Sequence, residues 1–323
     1  ASDDAARYEK VMARIKRLTD QYPSAKTPSL EVMLLQADYY RAEKLVNRWL
    51  SDADDKSARD TAARILRQIA PQLDRHQAEL SRQAAELLKQ VEAANDESQQ
   101  SLQNRWMRVQ SLASRARYFA ATSHYYRQLV DPSAANGFQR ARELFREVLA
   151  IEEEYVEVDP EFLGLESIWM SRAVIGLALS EAALNNQVNS DLCFAWLESG
   201  PAPAEVKQQI PLWRSQCLIR NGDWQAALAA AQKEVAQYRG AATRASVGYC
   251  VGLVQAGFGA GAGNPTAEKV GLLGVAGLIK LRQRGVVRQL VEKYEIPLPK
   301  DAGFYLTWIR GEALFEQAET SQQ

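Results

Sequence analysis

The sequence predicts an all-α protein: long helical hairpins followed by a solenoid of shorter helix pairs. Three observations carry that prediction. Apolar residues recur every three to four positions along nearly the whole chain, and no stretch alternates apolar and polar residues with a period of two. Ala, Leu, Gln, Glu and Arg dominate, and all of them favour helix. Proline and glycine fall mostly between the periodic stretches, where helices must end. Pro71 is the exception, and it predicts either a new helix or a kink in a long one.

Residues 3–22 read as an amphipathic helix with Tyr8, Val11, Ile15 and Leu18 on one face. Pro23 and Pro28 bracket a loop. Ser29 is then the expected cap of a second helix reaching Leu50, with Leu30, Met33, Leu34, Ala37, Tyr40, Leu45 and Trp49 apolar. Next, Leu66, Leu73, Leu80, Leu87 and Ala94 recur at every seventh residue, the spacing of a coiled-coil-like seam. Asn95, Asp96, Glu97 and Ser98 interrupt it. Leu102, Trp106, Val109, Ala113, Ala116, Phe119 and Ala120 then return along a second long helix. Residues 55–130 thus read as an antiparallel hairpin, either packed on the rest of the chain or serving as an oligomerisation arm. Beyond Pro132 the elements shorten. Helices are expected at 137–157, 161–185, 189–198, 203–220, 223–238, 241–257, 265–284, 286–294 and 302–319. The expected organisation is an N-terminal helical region, 1–131, and a repeat region, 132–323.

In the repeat region, Ala141 and Phe145 place a small residue and an aromatic four apart on one helix. Gly222, Trp224 and Ala227 place a turn and an aromatic ahead of an Ala-rich helix, with Ala231 where a second aromatic would stand. Trp308 to Phe315 looks like the first helix of a further pair, with Gly311 at the tight crossing. These positions resemble the tetratricopeptide repeat family in degenerate form, with irregular spacing and a late Pro160. The resemblance covers residues 137–323. It implies a right-handed α-solenoid, ending in mid-repeat, whose first helices line a groove for a peptide or a partner helix. The candidate groove residues are Gln216, Arg220, Trp308 and Glu312.

Chemistry-bearing motifs are sparse. Basic and acidic residues number 39 and 40, giving a net charge of −1, so the chain lacks the general attraction to phosphate that nucleic-acid binders use. Lys280, Arg282, Arg284, Arg288 and Lys293 form a basic stretch, and Arg105, Arg108, Arg115 and Arg117 add charge to the hairpin. Neither set is interleaved with aromatics as a base-stacking platform is. Cys193, Cys217 and Cys250 are widely spaced and read as buried thiols rather than a zinc or disulfide set. His76 and His124 are far apart and read as structural. The run Gly257–Gly263 reads as an inter-helix turn, since no strand precedes it and no Lys-Ser/Thr pair follows. Glu152, Glu153, Glu154, Glu157, Asp159 and Glu161 read as a solvated helix end without calcium-loop spacing. No apolar run of about 18 residues is present to span a bilayer.

The sequence therefore predicts a non-enzymatic interaction scaffold with no cofactor and no metal. Its partner would be a protein or peptide, with self-association through the hairpin or the C-terminal helix as a further expectation. The alternative is a helical accessory region of a larger enzyme, one acting on the cell envelope included. If Ala1 is a mature N terminus left by a signal peptidase, export follows; if it is an expression boundary, the cytoplasm is the default.

Overall fold

A computed structural model describes residues 14–296, apart from 16, 23–26, 53 and 95. It is all-α, with twelve helices packed mainly on their sequence neighbours and no strand among the described residues, as a helical-repeat architecture requires. The chain forms two compact units, Ala1–Pro201 and Ala202–Gln323. The sequence placed its boundary at 131/132. That point lies inside the first unit, because the helices on either side of it pack on each other.

The first unit opens with α1 (Pro28–Ser51). Thr27, not Ser29, is its cap: the Thr27 hydroxyl accepts from the Leu30 amide at 3.3 Å, and Pro28 takes the first helical position, where no N–H is needed. Its buried stripe also differs from the expected one. Val32, Leu35, Tyr39, Ala42 and Val46 face inward, while Met33 and Tyr40 stay exposed. Both stripes are apolar. Tyr39 and Tyr40 both meet Phe119, but Tyr39 is the buried one and its ring also stacks on Tyr126. Of the preceding expected helix, residues 17–21 are helical, with Leu18 exposed and Thr19 buried. Residues 14 and 15 are helical too, with Ile15 half-buried, whereas residues 3–13 and 16 lie outside the described residues.

The hairpin forms as the seven-residue spacing predicts. Helix α2 (Lys56–Ala93) is capped by Asp55 and runs on through Pro71, so no new helix starts there. Helix α3 (Asp96–Val130) returns antiparallel to it. Arg67 pairs with Asp131, Asp74 with His124 and Ser81 with Arg117, so the partner numbers fall as the α2 numbers rise. Leu66, Leu73, Leu80 and Leu87 are all buried along the seam.

Helix α4 (Gly137–Leu149) packs on α3 and on α5 (Ile168–Ala183), and α5 packs on α6 (Gln187–Ser199). Ala141 and Phe145 are fully buried. A Cβ on Gly176 would lie 2.2 Å from the Phe145 ring, so the glycine admits that ring at the α4–α5 crossing. The expected helix 137–157 ends early, at Leu149. Ala150 turns left-handed (φ 53°), and the Arg146 guanidinium donates to the carbonyls of Ile151, Glu152 and Glu153 at 3.0–3.2 Å. Three glutamates at a helix C terminus oppose its dipole, and leaving the helix removes the conflict.

The second unit holds α7 (Ala204–Lys207), α8 (Ile210–Arg220), α9 (Trp224–Ala236), α10 (Arg244–Gln255), α11 (Pro265–Lys280) and α12 (Arg284–Lys293). The expected helix 203–220 is two helices, because Pro211 enters at the second position of a fresh one. Asp223 caps α9 as an acceptor from Ala226 N, and Thr243 caps α10 in a reciprocal box with Ser246. The glycine-rich run is only partly a turn. α10 continues through a π-helical turn, Ala256–Ala260, and a Cβ on Gly257 would lie 2.4 Å from the Ala267 carbonyl oxygen and 2.6 Å from the Gly271 nitrogen. The glycines let α10 and α11 meet backbone to backbone. Around them Ala227, Ala231, Val235, Cys250, Leu253, Val254, Val270 and Leu278 form the core.

Candidate functional site

The segment joining α4 to α5, residues 150–167, is bound tightly on one side and bare on the other. Its inner side begins with Tyr155. The Tyr155 hydroxyl donates to Oε1 of Glu181, a carboxylate fully buried on α5. Asn186 Nδ2 donates to the other carboxylate oxygen at 3.0 Å, and Arg142 Nε lies 3.9 Å from Oε1. The Tyr155 ring packs on Trp196, and the Arg146 guanidinium also lies over the ring. Burial, then the bond to Glu181, pushes the Tyr155 hydroxyl pKa far up, so it stays a donor. Leu163 and Leu165 are buried, and the Leu165 carbonyl accepts from Ser171 Oγ at 2.6 Å. Gly164 turns left-handed (φ 60°) to bring the chain back to α5.

The outer side shows Val156 at 74% exposure and Phe162 at 88%. Around them Glu152, Glu153, Glu154, Glu157, Asp159, Glu161 and Glu166 are all exposed. The expected solvated acidic end is thus a surface, but the acids ride on a braced connector with two short 3-10 turns, Tyr155–Glu157 and Pro160–Leu163, rather than on the end of α4. Two apolar side chains stand among them.

Gln216 and Arg220 lie four residues apart on α8, on one stripe with Trp213. Arg220 is exposed. Gln216 Oε1 and Trp213 Nε1 are both buried with no hydrogen-bond partner. Sequence reasoning had no signal for Trp213, a half-buried tryptophan set apart by that orphaned donor. Trp308 and Glu312 lie outside the described residues, so the four candidates are not brought together.

Both histidines have carboxylate neighbours that spacing did not reveal. His124 Nε2 is 2.7 Å from Asp74 Oδ2, and Arg140 Nη2 reaches Asp74 Oδ1 at 3.5 Å. This cluster ties α2, α3 and α4 together. Burial works against the ionised Asp74, but the bond and charge of His124 and then Arg140 outweigh it and hold the carboxyl below its usual range. His76 Nε2 lies 3.8 Å from Glu31, joining α2 to α1. The three cysteines are buried, and burial raises the thiol pKa of Cys193 and Cys250. Among the described residues, no group of three or more His, Cys, Asp or Glu is placed to hold a metal ion, and no helix is long and apolar enough to cross a membrane.

Compared with family models, curated proteins and solved structures, the chain gives no significant match.

Proposed function

We propose that this chain is a non-enzymatic interaction scaffold, a degenerate tetratricopeptide-like array that binds a partner polypeptide on its surface. The array reading is supported by the small–aromatic pair Ala141 and Phe145 at a helix crossing and by the buried Ala227 and Ala231 of α9. One observation carries the binding reading: a connector braced by Tyr155, Glu181 and Arg146 nonetheless holds Val156 and Phe162 in water. A fixed segment binds at a lower ordering cost than a floppy one. Burying the two side chains against a partner would yield about 1.5–3 kcal/mol each. In the second unit, Gln216 and Arg220, with Trp213 beside them, are the groove residues of the same scaffold.

A photo-crosslinking residue at position 162, in cells of the source organism, tests the reading. The expected result is a discrete heavier product that disappears when Val156→Ser is added and the fold, read by circular dichroism, is retained. Crosslinks that are diffuse, or indifferent to Val156→Ser, would remove the connector from the binding surface.

A further inference from the structure

We infer that the segment received by the connector is a basic stretch of polypeptide carrying apolar side chains. The inference rests on the scaffold reading and adds the chemistry of the partner. Seven of the fifteen residues from 152 to 166 are acidic and none is basic, in a chain whose net charge is only −1. The segment is therefore a local excess of negative charge, offset by basic residues elsewhere in the chain.

None of the seven carboxylates forms an ion pair among the described residues. The two arginines of α4 nearest in sequence are engaged by other groups. Arg146 is committed to three backbone carbonyls and the Tyr155 ring, and Arg142 points at the buried Glu181. A surface of this sign repels nucleic acid and anionic lipid and attracts lysine and arginine. Carboxylates spaced around Val156 and Phe162 would pair with a partner's cations while those two side chains are covered. Charge of this kind speeds encounter and sorts partners, and the apolar contacts set how long the complex lasts.

A second copy is a poorer fit for this face. A two-fold dimer across it would set one acidic patch against the same acidic patch, because such an interface uses the same surface on both subunits.

The test uses the full chain and two fluorescent peptides, one of alternating Lys and Leu, the other with Glu in place of Lys. The Lys peptide should bind and the Glu peptide should not. Affinity for the Lys peptide should fall about tenfold between about 50 and about 200 mM salt, as screening weakens surface charge. Neutralising the acids (Glu152→Gln, Glu153→Gln, Glu154→Gln and Glu157→Gln together) should cost about tenfold and flatten the salt dependence. Phe162→Ser should cost a similar factor and leave the salt dependence in place.

Equal binding of both peptides, or unchanged binding by the neutralised variant, overturns the inference. So does a wild-type dimer at low salt that the neutralised variant lacks, since a second copy then covers the face. If the crosslink at position 162 persists while the Lys peptide fails to bind, the charge inference falls and the scaffold reading stands. If both fail, both fall.

Discussion

In the first unit, helices are tied by side chains that reach across: Asp74 to His124 and Arg140, Arg117 to Ser81 and Glu147, Tyr155 to Glu181. In the second, α10 and α11 touch through glycines, and the core is mostly Ala, Val and Leu. The contrast shows two ways of specifying which helix meets which. A reaching polar pair names its partner by chemistry. A glycine crossing names it by shape, since only that position admits a neighbouring backbone. A buried polar tie is costly when half broken, and a glycine crossing is costly when filled.

The largest expected effect is therefore in the second unit. Gly257→Ala should cost about 3 kcal/mol in a denaturant melt, because the added methyl meets backbone atoms that have no rotamer to yield. An unchanged midpoint would break the shape half of the comparison.

Tyr155→Phe should come next, at about 2 kcal/mol, since it leaves a buried carboxylate oxygen without its donor. Ser215→Ala, which deletes the buried Ser215–Tyr249 bond of the second unit, should cost about 1 kcal/mol. If the order reversed, polar ties would matter no more in the first unit than in the second.

The pH dependence sharpens the same contrast, because two carboxyls of the first unit should act with opposite sign. Asp74 is held below its usual pKa, so its stabilisation is present above the unfolded value of about 3.9 and is lost as pH falls through the folded value. Asp74→Asn should remove about 1 kcal/mol at neutral pH and flatten the acid limb of the stability profile. Glu43 is raised by burial, which outweighs the Tyr39 bond and Arg172. Its contribution is present below about 4.3 and is lost as pH rises through the folded value. Glu43→Gln keeps an acceptor for the Tyr39 hydroxyl and should gain about 1 kcal/mol at pH 7 and little at low pH. Matching profiles for the two variants would contradict this account of the two carboxyls.

The smallest effect is at α8. Gln216→Met removes an orphaned buried acceptor and should raise stability by about 0.5 kcal/mol. A loss would mean that Gln216 has a role in the folded unit that the orphaned oxygen does not show.

The sequence by itself determined the all-α class, the leucine seam of α2 and the burial of the thiols. It also found Ala141 and Phe145 as a packing pair. All of these follow from periodicity and residue type, which act within a few turns of one helix. Tertiary structure decided what neighbouring residues cannot encode. It chose the Val32–Tyr39–Val46 stripe of α1 over an equally apolar one, and it turned the glycine-rich run into a helix crossing. It moved the division of the chain to Pro201, since α3 and α4 share a core. It also made the candidate surface. Glu152 to Glu161 read as an ordinary acidic helix end until Arg146 ended the helix and Tyr155 found Glu181, 26 residues away. A bond across that separation leaves no local pattern in the sequence, because the residues it joins become neighbours only when their helices pack.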